Sequence, residues 1–467
     1  MHKLIFFELN EVPVRIFDYY RRVRPGSWLA KNFDAFKKFR THSENGGHLS
    51  PWNTWPTLHR GVSNEKHFIS DFNQDLKEID REFPPIWKLL ADAGVKTGVF
   101  GSLHSYPMPE QPEKYTFYIP DVFAAGAECF PQQYELFQEI NLRLSRESAR
   151  NINRRIPYVD VLKLMAKSRT MGFKASTFLD VGRQLAEEKI NSWKSVRRRT
   201  YQSVISFDVY CKLLSREKPA FSTFFTNHVA SSQHRYWAAL FPKDYEKLQY
   251  NQDWINTFSN EIIFTMDKTD QMLSRLAGFV NRNPDYQLMF TSSMGQDAVE
   301  CEPIETQLYV TDHSKFFKLF GMDQADFSFL PSMLPQFNYK VKDPAKFQSA
   351  INQLTVNNAN VQFRVLGESR FSIDLGHQNL KETEIRWNGQ VIPLDATGME
   401  NVIIEDKSSA TAYHIPGGHL FIYHPSFQKS DISATEIPTT EIMPGILRNF
   451  GVGVPSYSNP AGVQFLK

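Results

Sequence analysis

The chain has 467 residues, with 53 Lys and Arg against 51 Asp and Glu, a formal balance of +2. That near-neutrality argues against a sequence-specific nucleic-acid binder, whose footprint is strongly basic. With 41% hydrophobic and 22% charged residues the composition is ordinary for a globular protein and excludes wholesale disorder. Three widely spaced cysteines, Cys129, Cys211 and Cys301, are too few for a disulfide framework or a thiolate zinc site.

The opening apolar span, Leu4 to Leu9, already carries Glu8. It is too short for a signal peptide, and no apolar run reaches the roughly 18 residues of a membrane span. The chain therefore reads as cytoplasmic. Lys3 to Leu9 is predicted as a buried parallel strand, whose polar end at Asn10-Glu11 is where such sheets place ligand-binding groups. A helix is expected from about Pro84 to Gly94 and a short strand in VKTGVFG, which together give βαβ grammar and a parallel sheet. The stretch Gly101 to Ser105 closes that strand and reads as a turn beside a cleft.

Residues 141–200 hold 15 Lys and Arg against 5 Asp and Glu. Val159, Leu162, Met165, Phe178, Val181 and Leu185 fall at helical spacing there, so 141–215 reads as a basic helical insert suited to an anionic substrate, a membrane surface or a partner. Strand grammar returns at AFSTFFTNHV. A long helix is expected over 251–281, and YQLMFTSSMG reads as a further buried strand. Residues 301–410 look like a strand-rich insert with an Asn388-Gly389 hairpin turn. The expected architecture is a doubly wound, mostly parallel α/β sheet. Its core segments are 1–140, 216–300 and 411–467, interrupted by the two inserts.

Five segments in order resemble the alkaline phosphatase superfamily, in its type I phosphodiesterase/nucleotide pyrophosphatase and phosphoglycerate-mutase-like branch. They are LIFFELNEV, NTWPTLHRGVSNEKHFI, TNHVASSQHRYW, FTSSMG, and HIPGGHLFIYHP with EIMPGILRNFGVGVP. The resemblance implies a two-metal site and a threonine nucleophile at a helix N-terminus, here Thr54. It also carries two histidines over to His234 and His414.

The metal-binding carboxylates do not carry over. Asn10, Ala230 and Ser293 stand where the family places aspartates, and Met294 replaces a histidine. At an effective dielectric near 20, an attraction between unit charges at ligand range is worth several kcal/mol, so each missing carboxylate disfavours an ordinary dinuclear hydrolase. What remains is one divalent ion, zinc or manganese, on His234 and His414, or no metal. His234, His414 and two relocated carboxylates, Glu8 (on the strand face shared with Asn10) and Glu11, are the groups available as acid or base. Asn10, Asn227, His228, Arg235 and Ser293 are candidate substrate contacts, and Thr54 would offer an anion its hydroxyl and helix-start amides.

Three functions follow as expectations, the last in order being an ordinary metal-dependent phosphodiesterase. The first is phosphoester hydrolysis, or transfer from an activated phosphate or nucleotide-sugar donor, on a phosphate-bearing small molecule or anionic glycan. The second is a catalytically inactive protein that binds a phosphorylated ligand or scaffolds a partner.

Overall fold

Lys3–Leu9 forms β1, in which every residue from Leu4 onward is buried. In the computed structural model, which describes residues 2–45, 47–146, 151, 159, 163, 166–332, 334–458 and 465–466, this strand lies inside an eight-stranded sheet. The neighbours of β1 are β5 (Phe221–Thr226) on one side and β6 (Tyr286–Thr291) on the other, both parallel to it. Beyond β5 lie β3 (Thr97–Phe100) and then β4 (Tyr115–Ile119), also parallel. Beyond β6 the antiparallel strand Gly417–Tyr423 pairs with β2 (Lys37–His42), and Ile432–Pro438 closes the edge parallel to β2. The fold is thus a mostly parallel, doubly wound α/β sheet with additional antiparallel sheets.

Strand alternation explains why β1 is apolar throughout. Ile5, Phe7 and Leu9 enter one hydrophobic cluster, and Leu4 and Phe6 enter another, so helices cover both faces. Aromatic rings fill much of the first cluster, with Phe7, Phe207, Tyr210 and Phe224 in mutual contact.

By internal contacts the chain divides into two units. One comprises residues 1–144, 155–301 and 410–467 and holds the large sheet; the other comprises 145–154 and 302–409. The second unit contains two four-stranded antiparallel sheets around its own core of Phe316, Phe317, Tyr339 and Phe347. Asn388 and Gly389 both have positive φ and join paired Trp387 and Gln390, the tight hairpin their sequence predicts.

The helix expected over 251–281 is two helices, Gln252–Phe258 and Glu261–Arg282, separated at Ser259-Asn260. In the basic stretch, Ala175–Ile190 and Arg198–Glu217 are helical, while Leu162 and Met165 lie outside the described residues. Val159 and Leu179 are exposed rather than packed. Among the described residues no helix is long and apolar enough to cross a membrane.

Candidate functional site

The carboxyl ends of three adjacent parallel strands deliver the site: Asn10-Glu11 after β1, Asn227-His228 after β5, and Ser292-Ser293 after β6. Ligands in open α/β sheets bind outside these ends, where the strand order switches direction. Glu11 adopts φ 57, a left-handed conformation that is costly for a residue with a side chain and is retained only when its surroundings enforce it. Those surroundings are visible. Gln233 Nε2 donates to the Glu11 carbonyl at 3.0 Å, Asn10 Nδ2 donates to Oε1 at 2.7 Å, and Gln296 Nε2 donates to Oε2.

Two imidazoles meet this carboxylate. His234 Nε2 lies 2.9 Å and His414 Nε2 3.3 Å from Glu11 Oε2. In both rings Nδ1 is 2.7–2.8 Å from a backbone carbonyl, Ala412 for His234 and Leu49 for His414. A carbonyl only accepts, so each Nδ1 must carry a proton and each Nε2 is left to face Glu11. Burial alone would raise the Glu11 carboxyl, but the His414 and His234 rings outweigh it and hold the group well below the usual carboxylate range. For His414, burial lowers and Glu11 raises, and Glu11 prevails.

Glu11, His234 and His414 could together hold a metal ion, their ligand atoms lying within 4.8 Å of one another. The donor chemistry fits. Two histidines and a glutamate form a known catalytic zinc set, and rings anchored through Nδ1 to a carbonyl are the usual second layer of such sites. Tetrahedral bonds of about 2.0–2.1 Å place neighbouring donor atoms roughly 3.3 Å apart, and the two histidine nitrogens lie 2.9 and 3.3 Å from Glu11 Oε2.

Thr54 with Ser293, and Asn10 with Asn227 and Trp55, form hydrogen-bonded groups of their own. Thr54 is fully buried; its hydroxyl donates to the Ser50 carbonyl at 3.0 Å and lies 2.8 Å from Ser293 Oγ. Asn10 Oδ1 accepts from Trp55 Nε1 at 2.7 Å, and Asn10 Nδ2 also reaches Asn227 Oδ1 at 2.7 Å. These neutral groups satisfy one another and supply no carboxylate.

The expectation that Thr54 offers helix-start amides to an anion is corrected by the structure. Thr54 lies inside the helix Pro51–Arg60, whose N-cap is Ser50. The Thr54 and Asn53 amides already donate to the Ser50 carbonyl and the Trp52 amide to Ser50 Oγ.

The remaining sequence candidates sit as follows. Glu8 is fully buried, with Oε1 2.7 Å from His59 Nε2 and Oε2 accepting from Ser102 at 2.7 Å, so it is occupied away from the two imidazoles. His228 has both ring nitrogens engaged, by Thr226 and Thr269, and burial lowers it to about 4. Arg235 reaches Ser231 Oγ on its own helix at 3.2 Å. Gln296, which bridges Glu11 and the Ala230 carbonyl, carries no sequence signal and emerges only from the fold.

Gln296 and His414 face each other across a two-strand ribbon made by β7 (Gly295–Ala298) and Ala412–Ile415. A Cβ on Gly295 would come within 2.2 Å of the Gly417 carbonyl. Gly295→Ala is therefore expected to cost about 1–3 kcal/mol through overpacking, read as a lowered denaturant midpoint. It should also weaken cation binding by displacing His414; a variant with an unaltered midpoint would contradict the tight approach.

No protein-family model matches the chain, and no curated protein matches it in sequence. Among solved structures it is similar to murine ectonucleotide pyrophosphatase/phosphodiesterase 5, with 12% identity, 99% of both chains covered and a TM-score of 0.42. It is similar to an inactive variant of that murine protein in complex with AMP, with 12% identity, 100% of both chains covered and a TM-score of 0.43. It is also similar to the human protein of that name, with 13% identity, 99% of both chains covered and a TM-score of 0.38. All three neighbours carry the name of a nucleotide pyrophosphatase/phosphodiesterase.

Proposed function

We propose that this chain binds a single divalent cation, zinc or manganese, through Glu11, His234 and His414, and acts there on a phosphate-bearing substrate by phosphoester hydrolysis or phosphoryl-linked group transfer. One observation carries the reading: two imidazoles, each fixed by an Nδ1 bond to a main-chain carbonyl, converge on one buried carboxylate at a strained residue. The chemistry a divalent cation supplies when bound is polarisation of a phosphoryl oxygen and compensation of its charge. Glu11 provides the negative charge of the ligand set and the two histidines its direction, while Asn10 and Gln296 hold the carboxylate and Gln233 holds the Glu11 backbone carbonyl. Thr54 and Ser293, sharing a hydrogen bond of 2.8 Å, are the hydroxyls nearest in role to a nucleophile.

A second reading is favoured by the closure around Thr54. A hydroxyl that is fully buried and bonded to Ser50 and Ser293 suits a protein that binds its phosphorylated ligand without turning it over.

The two readings separate in one experiment. Purified chain is assayed for bound metal and for hydrolysis of a chromogenic phosphodiester, as wild type and as Thr54→Ala. The enzyme reading expects one equivalent of metal in both proteins and turnover in the wild type alone. Metal without turnover supports the binding protein, and two equivalents would overturn the mononuclear assignment.

A further inference from the structure

The helix Ala175–Ile190 turns its polar side chains inward and its largest aliphatic ones to water. A surface helix ordinarily does the reverse, with its apolar stripe against the core. Here the buried positions are Thr177 and Gln184, while Leu179 and Ile190 are 74% and 82% exposed. Polar bonds hold the inner face. Thr177 Oγ1 donates to the buried Asp208 Oδ2 at 2.6 Å, and Gln184 Nε2 donates to the Lys194 carbonyl at 2.7 Å. Arg198 Nη2 meets Glu188 Oε2 at 2.7 Å.

At about 100° of rotation per residue, Leu179, Ala186 and Ile190 fall within roughly 40° of arc on the outer face. Arg183 borders this stripe on one side and Lys189 on the other; both are exposed, as is Lys174 just before the helix. The carboxylates of the helix are engaged elsewhere. Asp180 pairs with Lys268 at 2.9 Å, Glu188 with Arg198, and Glu187 with Lys194 at 2.9 Å as well as with Arg183 at 3.0 Å. Lys174 and Lys189 have no ion-pair partner among the described residues. The outer face is thus an aliphatic stripe between cations, with no free carboxylate beside it.

We propose that this face docks on an anionic lipid bilayer, the helix lying in the membrane surface with Leu179, Ala186 and Ile190 against the acyl chains. A helix of this kind needs an apolar stripe flanked by cations that reach the headgroups, and it need not be long enough to span. An anionic bilayer answers both halves of the face, with headgroup charge for Lys174, Arg183 and Lys189 and hydrocarbon for the stripe. A second copy of the chain does not. A twofold contact would set Arg183 and Lys189 against their own counterparts, and one helix face falls well short of the roughly 800 Å² per partner that a stable pair buries. A nucleic acid would answer the cations and leave the aliphatic stripe in water.

The test is sedimentation of the full chain with vesicles, in chelator so that no divalent ion bridges protein and lipid. Binding is expected to vesicles of equal parts phosphatidylserine and phosphatidylcholine, and to be at least about tenfold weaker to phosphatidylcholine alone. The double variant Leu179→Gln, Ile190→Gln should lose on the order of tenfold or more in binding to the mixed vesicles. Its melting temperature should match the wild type, because both side chains are already exposed. Lys174→Gln with Lys189→Gln should weaken binding to the mixed vesicles alone. The proposal is overturned if the wild type does not sediment with the mixed vesicles, if it binds both vesicle types equally, or if the Leu179, Ile190 variant binds like the wild type. Sedimentation velocity without lipid tests the other occupant: a dimer that this variant dissociates would assign the face to a second copy and overturn the bilayer. None of these residues belongs to the candidate cation centre, so neither result depends on that assignment.

Discussion

Glu11→Gln is expected to abolish divalent-cation binding while leaving the fold almost unchanged. The amide has the shape of the carboxylate and can still accept from Asn10 or Gln296, and its NH2 can donate to the Nε2 lone pairs of His234 and His414. What it cannot supply is the negative charge and the strong oxygen donor. Removing a mere supporting partner of a metal ligand typically costs 10–100-fold in affinity, so removal of the ligand itself should cost on the order of 100-fold or more. Titration calorimetry with zinc gives the direct measurement. The melting temperature gives an independent one, because a ligand at 100 times its Kd stabilises the folded chain by about 2.7 kcal/mol. That increment should be present in the wild type and absent in Glu11→Gln. Unchanged zinc affinity in the variant would remove Glu11 from the ligand set.

Acidification is expected to destabilise the fold steeply below about pH 6. His67, His228 and His419 are buried, and burial lowers them from the ordinary 6.5 to about 3, about 4 and about 3. The native chain thus keeps them neutral where the unfolded chain takes up protons. Since the unfolded state binds more protons between the two values, stability is full above the unfolded pKa and falls as pH drops through 6.5 towards 4. Each group contributes about 1.4 kcal/mol per pH unit in that window, so the three together approach 4 kcal/mol per unit. This is a large share of a typical 5–15 kcal/mol total. Guanidinium midpoints measured between pH 8 and pH 4.5 would show the slope, and His419→Asn should reduce it by roughly a third. A flat profile down to pH 5 would contradict the neutral burial of these rings.

The strands that form the floor of the site are legible because their pattern is simple. β1, β5 and β6 are apolar runs that end in polar residues, and the structure forms them as buried parallel strands. Motif order points to His234 and His414, and a place at a strand end points to Glu11. Their convergence is not legible, since it depends on the left-handed turn at Glu11 and on carbonyls of Leu49 and Ala412 that no side-chain pattern announces.

Thr54 falls on a helix as its motif implies, but its surroundings differ from the expected ones. The capping box of Ser50 and Asn53 consumes the helix-start amides, and it is hard to see in sequence because asparagine stands where glutamate or glutamine usually marks that motif. The single helix expected over 251–281 fails for a related reason. Apolar spacing continues through Ile255, Phe258 and Ile262, while Ser259-Asn260 interrupts the backbone without disturbing that period.

The three donors at the candidate cation centre come from near the start, the middle and the last part of the chain. A ribosome-bound or proteolytically nicked polypeptide lacking any one of these stretches holds an incomplete clasp. On the proposed reading, affinity for the ion would be acquired only once long-range assembly is finished, and the ion would in turn knot together regions that no local contact unites. Chelation should consequently loosen the whole sheet cooperatively rather than free one loop.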